Sequence, residues 1–372
     1  MDTTNKPFII AYYLPQYHPI KENDEWWGKG FTEWTNVGKA KPLFHGHYQP
    51  KVPADLGYYD LRLPEVRQQQ VDLAKEAGVS GFCYWHYWFG DGRQLMNEII
   101  DDVVATGKPN FPFCVAWANE SWKAKQWNKD GVGDKLLIEQ RYGGEKDYRL
   151  HYEYVRLLIQ SPYYIKVSNN PLFMIYKPGL MPDCVNFINL WNKWIKEDGI
   201  SDRFFFVGGY DEEYQYNEFL EYGFNALTSG RGLRNDYVFR HRPRLIRGIQ
   251  RRLREWVKMP VKENYNIVNK YIWLEETDRK ETSIPFIIPN WDHTPRSGRN
   301  GSVMYNSTPD LFQQQVSTVL EGISTKKQKI IFLKSWNEWA EGNYMEPDLK
   351  WGKGYIQALH IALKQYTNKY GN

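Results

Sequence analysis

Eight short apolar segments recur along this chain, most of them rich in β-branched or aromatic residues, and stretches of helical period separate most of them. The segments are Phe8–Tyr13, Val79–Trp85, Phe111–Ala116, Leu172–Tyr176, Phe204–Gly208, Phe224–Thr228, Ile284–Ile288 and Lys329–Lys334. The helical stretches are Leu63–Ala77, Gln94–Thr106, Lys146–Gln160, Asp183–Glu197, Glu212–Tyr222, Pro309–Ile323 and Tyr355–Tyr366. The first of these begins with Pro64 in its opening turn and stops at Gly78, the asymmetry that helix ends favour. Strands that alternate with helices lie parallel, in a sheet covered on both faces. Eight such units in 372 residues fit a closed (β/α)8 barrel of the α/β class better than an open doubly wound sheet. No Gly-x-Gly-x-x-Gly follows the first segment and no Gly-rich Lys-Ser/Thr loop occurs, so nothing supports a nucleotide fold.

A single catalytic domain over 1–372 is expected, with two connections longer than usual. The first, from Leu14 to about Tyr59, is crowded with Trp, Tyr, His and Pro. The second is an insert over 229–283, after the sixth strand. Its core, Arg231–Lys258, holds ten Lys/Arg against two acidic residues. That local charge of +8 leaves the rest of the chain at −4, since the whole carries +4. No apolar run approaches the roughly 20 residues that span a bilayer. Met1 to Pro7 leads straight into the first strand with no room for a signal peptide, so a cytoplasmic location is expected. Cys83, Cys114 and Cys184 sit within or beside apolar residues, as small buried side chains with no metal or redox spacing.

Aromatic residues make up 16% of the chain, including 16 Trp and 27 Tyr, and their position matters more than their number. In a (β/α)8 barrel the reactive groups sit on loops at the carboxyl ends of the strands. Nearly every Trp–polar cluster here follows a strand: Tyr12 to His18, Tyr84 to Trp88, Trp117 to Trp122, Gly209 to Asp211, Asn290 to Arg296 and Ser335 to Gly342. Trp26-Trp27-Gly28 and Phe31-Thr32-Glu33-Trp34 lie on the long first connection. Indole faces stack on the C–H surface of a pyranose, while carboxylates and amides take its hydroxyls. Nucleic acid would call for Arg and Lys among the aromatics, whereas these clusters are acidic or neutral. An oligosaccharide or polysaccharide is therefore the expected ligand. The candidate contacts are Tyr13, Gln16, His18, Trp27, Glu33, Trp34, Tyr84, His86, Trp88, Trp117, Asn119, Glu120, Trp291, Asp292, Arg296, Trp336 and Asn337.

Glycosyl transfer requires two carboxyl groups near the anomeric centre. Glu338 and Glu341 stand three apart after the last strand, and repulsion between them would keep one protonated near neutral pH. Glu120, in Asn119-Glu120, is the competing acid. Glu33 reads as a sugar-hydroxyl ligand or a loop-fixing carboxylate. His18, His86 and His293 have no metal-ligand spacing, so neither metal nor cofactor is expected.

Taken together, these motifs resemble the WbsX family, from gene clusters for bacterial O-antigen and capsule, which is related to the family 99 endo-α-mannosidases. The resemblance rests on Ala11 to His18, Asn23 to Gly28 with Gly30 to Trp34, Phe82 to Phe89, Trp117 to Glu120, Trp291 to Arg296 and Ser335 to Gly342. It covers essentially the whole chain apart from the basic insert. The hydrolase relatives carry Asn-Glu-Trp-x-Glu-Gly, which corresponds to Asn337 through Gly342. The resemblance implies that Glu338 takes the proton of the sugar's own 2-hydroxyl, giving a 1,2-anhydro sugar, and that Glu341 serves as acid and then base. The chain departs from the hydrolases at Ala340, where they commonly carry His. A retaining enzyme of glycosyl transfer in O-antigen or capsule biosynthesis is the leading expectation, since polysaccharide degraders are usually exported. An endo-α-mannosidase-like hydrolase is the alternative, and a non-catalytic sugar-binding barrel would not need both glutamates.

Within the insert, Leu245, Ile246, Ile249, Leu253, Trp256 and Val257 fall on one helical face, and Arg244, Arg247, Arg251, Arg252 and Arg254 occupy much of the rest. Segment 242–258 is thus a candidate for contact with an anionic membrane surface, or for packing against the barrel.

Overall fold

The computed structural model describes residues 6–123, 135–230 and 259–371. Eight parallel strands form its centre: β1 (Phe8–Tyr13), β2 (Gly81–Trp88), β3 (Phe113–Trp117), β4 (Asn170–Ile175), β5 (Phe205–Tyr210), β6 (Ala226–Ser229), β7 (Phe286–Ile287) and β8 (Ile330–Leu333). Their order is β6-β5-β4-β3-β2-β1-β8-β7. The sheet comes round on itself where Leu227 bridges Ser283, just ahead of β7. There the Leu227 N–H donates to Thr282 at 2.7 Å and the Ile284 N–H donates to Leu227 at 2.8 Å. The molecule is the (β/α)8 barrel that the alternation of segments predicts.

Helices α1 (Pro64–Ala77), α2 (Glu98–Thr106), α3 (Glu145–Ile159), α4 (Cys184–Glu197), α5 (Glu213–Glu221), α6 (Pro309–Ile323) and α7 (Gly354–Tyr370) surround the sheet. Each buries an apolar stripe, as α4 does with Cys184, Phe187, Ile188, Trp191, Trp194 and Ile195. The second helix is shorter than its periodicity predicts, because Gln94–Leu95 pairs antiparallel with Tyr87–Trp88 instead. Strand seven shrinks from five predicted residues to Phe286–Ile287. The basic core of the insert and segment 242–258 lie outside the described residues. The described remainder pairs Val261–Asn264 with Ser302–Tyr305 and carries the short helices Tyr265–Asn269 and Glu275–Asp278. Among the described residues, no helix is long and apolar enough to cross a membrane.

Successive side chains on a strand point to opposite faces, so each barrel strand has an inward and an outward set. On β1 the inward Tyr12 reaches across the barrel and donates to Met174 Sδ at 3.1 Å, while the outward Tyr13 donates to Gln70 of α1 at 2.6 Å. Cys83 of β2 and Cys114 of β3 are register partners, buried and free. Trp85 shares their inward parity. Tyr84, His86 and Trp88 have the opposite parity and lie in the layer between sheet and helices.

Candidate active site

At the carboxyl ends of the strands lies a cavity of about 370 Å³. The inward residues of each strand carry on into its wall: Tyr12, then Trp85 and Tyr87, then Ala118 and Glu120, then Met174 and Tyr176. The first long connection contributes Gln16, Asn23, Trp27 and Phe31 from the side.

Glu338 and Glu341 stand together in this wall. Glu338 ends a two-residue strand, Asn337–Glu338, that pairs antiparallel with Asn343–Tyr344. Trp339–Glu341 then makes one 3-10 turn, closed by Gly342 at φ 57°. Glu338 flanks that turn without capping it; its Oε1 accepts instead from Trp85 Nε1 at 2.6 Å. Burial first, and then the neighbouring Glu341, push the Glu338 carboxyl up to about 8, against the pull of Arg296 and Trp85. Glu341 also hydrogen-bonds to Glu338, and its Oε1 is in contact with Arg296. The Glu338 carboxyl is thus held well above the ordinary carboxylate range.

Arg296 is the pivot of the electrostatics, placed between Glu341 and the buried Glu33, whose Oε2 lies 3.1 Å from its guanidinium. Burial raises the Glu33 carboxyl and Arg296 opposes that rise. Arg296 rides on the short helix Thr294–Ser297, which Asp292 anchors by accepting from the Thr294 N–H at 3.0 Å and hydroxyl at 2.6 Å. Asp292 also accepts from Gln49 at 2.6 Å and meets His47 at 2.7 Å. Burial alone would raise Asp292, but His47, Lys51 and Thr294 bring it below its ordinary value. Under the 3-10 turn, the buried Glu346 accepts from Trp339 at 2.6 Å, Gln70 at 2.6 Å and Tyr59 at 2.9 Å. Burial pushes it up to about 7, against the pull of those donors.

Of the residues singled out by sequence, Gln16, Trp27, Glu120, Trp291, Arg296, Glu338 and Glu341 line the cavity. The others lie outside the wall of this cavity. Strand parity turns Tyr13, Tyr84, His86, Trp88 and Trp117 outward into the core. His86 meets His151 Nε2 at 2.8 Å, Trp88 stacks on His151 and donates to Asp147, and Trp117 packs on Phe187. Asn119 is spent on the Lys177 backbone and Tyr142, and Asn337 on both backbone groups of Leu14. Trp336 is fully buried against Phe82. Trp34 donates to the Tyr59 carbonyl at 2.7 Å, and His18 is buried 3.4 Å from Glu98. Glu33 and Asp292 act one layer behind the wall, through Arg296. His18, His86 and His293 do not converge: the last lies 3.7 Å from Glu341.

The wall also holds Tyr12, Trp85, Tyr87, Tyr176, Lys177, Thr228 and Asn343, which lie outside the contacts expected from sequence. Counting in twos from the strand centre, Cys83 to Trp85 to Tyr87, finds the inward face of β2.

The fold resembles that of a GH99 endo-alpha-mannosidase from Bacteroides thetaiotaomicron at 15% identity, with a TM-score of 0.56 over 98% of each chain. It also resembles a glycoside hydrolase-like protein at 12% identity, with a TM-score of 0.59 over 98% of this chain and 95% of that one. At such identities the likeness speaks for the fold alone. Uncharacterized protein WxcX from two strains of Xanthomonas campestris pv. campestris is 33% identical over 361 residues, or 95% of this chain. The chain spans about half the length of these curated relatives, 49%. The model of the family described as glycosyltransferase WbsX matches residues 9–359, a range that includes the basic segment, and the chain belongs to that family.

Proposed function

We propose that this chain makes or breaks an α-glycosidic bond of a bacterial surface polysaccharide, with Glu338 and Glu341 as the working carboxyl pair. The observation that carries this reading is a pair of hydrogen-bonded carboxyls in a Trp- and Tyr-lined cavity, one of them raised to about 8 by burial and by its neighbour. One acid and one base is the stoichiometry that participation of the 2-hydroxyl needs. In that chemistry Glu338 accepts the 2-hydroxyl proton as O2 attacks C1, and Glu341 gives a proton to the departing oxygen. The 1,2-anhydro ring then opens at C1 to an incoming hydroxyl, which returns its proton to Glu341, while O2 regains its own from Glu338.

Water and a sugar hydroxyl are both competent to open the ring, so the product identifies the acceptor. Mass spectrometry of α-mannosyl and rhamnosyl oligosaccharides, incubated with and without an acceptor sugar, separates the two. A lengthened acceptor means a transferase, reducing sugar alone means a hydrolase, and no product that depends on both glutamates refutes the reading. A substrate built on a lipid carrier would bring the enzyme to the inner face of the cytoplasmic membrane through segment 242–258. Salt-sensitive co-sedimentation with anionic but not neutral liposomes, lost on deleting that segment, tests this.

A further inference from the structure

The cavity has a second polar end that the carboxyl pair does not explain. Glu120 follows β3, Lys177 follows β4 and Asp211 follows β5, and all three stand in the wall. Lys177 is ion-paired with Asp211 and lies 4.7 Å from the centre of the Tyr176 ring. Local structure fixes this end in place. Gln215 Oε1 accepts from the Asp211 and Glu212 N–H groups at 2.9 and 3.0 Å, and a Cβ on Gly230 would collide with the Asp211 carboxylate. Thr228, only 2% exposed, lines the same cavity, and its hydroxyl has no hydrogen-bond partner among the described residues.

Between the two ends runs an aromatic floor. Tyr176 meets Trp85 edge-on at 5.2 Å, and Trp85 stacks on Tyr12 at 5.0 Å. The Tyr176 hydroxyl feels both ends: burial raises it first, then Glu120 and Asp211 from one side and Glu341 and Glu338 from the other.

We propose that Glu120, Lys177 and Asp211 form a second sugar subsite, so that the smallest well-bound ligand is a disaccharide whose second ring is uncharged. This rests on the glycan function proposed above. Two carboxylates and an ammonium supply acceptors and donors for neighbouring hydroxyls, and the aromatic floor suits the C–H faces of two adjoining rings. Two acidic groups against one cation repel a uronate or a phosphate. The second ring therefore belongs to a neutral glycan rather than to a nucleotide diphosphate.

The test is binding of the full chain to an array of α-linked mono-, di- and trisaccharides of mannose, rhamnose, glucose and galactose. A disaccharide should bind about tenfold tighter than its parent monosaccharide glycoside, or about 1.4 kcal/mol. Lys177→Ala and Asp211→Asn should each abolish that difference and leave the monosaccharide Kd unchanged. Thr228→Val, a change of nearly equal size, should act in the same direction, and circular dichroism verifies that each variant folds. Equal loss on both ligands, or no preference of the unmodified chain for the disaccharide, overturns the subsite while sparing the function. A folded chain that binds no glycan on the array overturns the glycan function itself.

Discussion

Glu338 and Glu341 show how two identical side chains three residues apart take on different chemistry. Burial and repulsion raise Glu338 to about 8, whereas Glu341 is the one in direct contact with Arg296. The acid needed for leaving-group departure is lost once the pair gives up its last proton. kcat/KM should therefore fall as pH rises through about 8, and a rate profile flat to pH 10 would be incompatible with this pair as acid and base. Arg296 tests the same charges from the other side. Replacing it with Met removes the guanidinium that both Glu33 and Glu341 contact. Breaking such a buried pair costs about 3–5 kcal/mol, readable by urea unfolding. Adding Glu33→Gln should restore part of the loss, and a cost under about 1 kcal/mol would mean that solvent screens the site.

One short element, the 3-10 turn Trp339–Glu341, sets the spacing of the pair. Its closing residue Gly342 adopts φ 57°, and a Cβ there would lie 2.5 Å from Lys51 Nζ and 2.7 Å from Asp292 Cβ. Lys51 in turn donates to the Gly342 carbonyl at 3.1 Å. Gly342→Ala should cost about 1–3 kcal/mol of stability and, by moving Glu341, at least about tenfold in kcat/KM. Unchanged kinetics would show that the turn tolerates the shift. The elements also show where sequence period is enough and where it is not. Helices α1, α4 and α6 match their apolar spacing closely, because a wide stripe tolerates small errors. Strand β2 runs over Gly81–Trp88 rather than Val79–Trp85, and its inward face hangs on register, because a shift of one residue exchanges Tyr84, His86 and Trp88 for Trp85 and Tyr87.

Across the whole molecule, the buried carboxyls tie stability to pH. Glu338, raised from 4.5 to about 8, and Glu346, raised to about 7, bind more protons folded than unfolded. Their contribution is fully present below about pH 4.5 and is lost as pH rises through 7 and 8. Asp292 works the other way, and its contribution is lost as pH falls below the ordinary range of a carboxylate. Melting temperature should thus decline from pH 5 to pH 8. Glu338→Gln, which keeps the bond from Trp85 and removes the like charge, should flatten that decline and raise Tm at pH 8 by roughly 2 °C. It should do so while abolishing activity. A steeper decline in that variant would contradict the linkage.

The sequence by itself determined the barrel, because eight strand-and-helix units admit few other closed arrangements, and it located the carboxyl pair at the end of the last strand. It also brought the aromatic clusters to the carboxyl ends of the strands. Only the tertiary structure decided which aromatics face the ligand, since an indole beside a carboxylate looks the same in a sequence whether it points inward, as Trp85 does, or outward, as Trp117 does. The same holds for Arg296, whose partners Glu33 and Glu341 are 263 and 45 residues away. Charges so far apart in the chain acquire their pKa values from closure of the barrel, which brings them together and removes them from water.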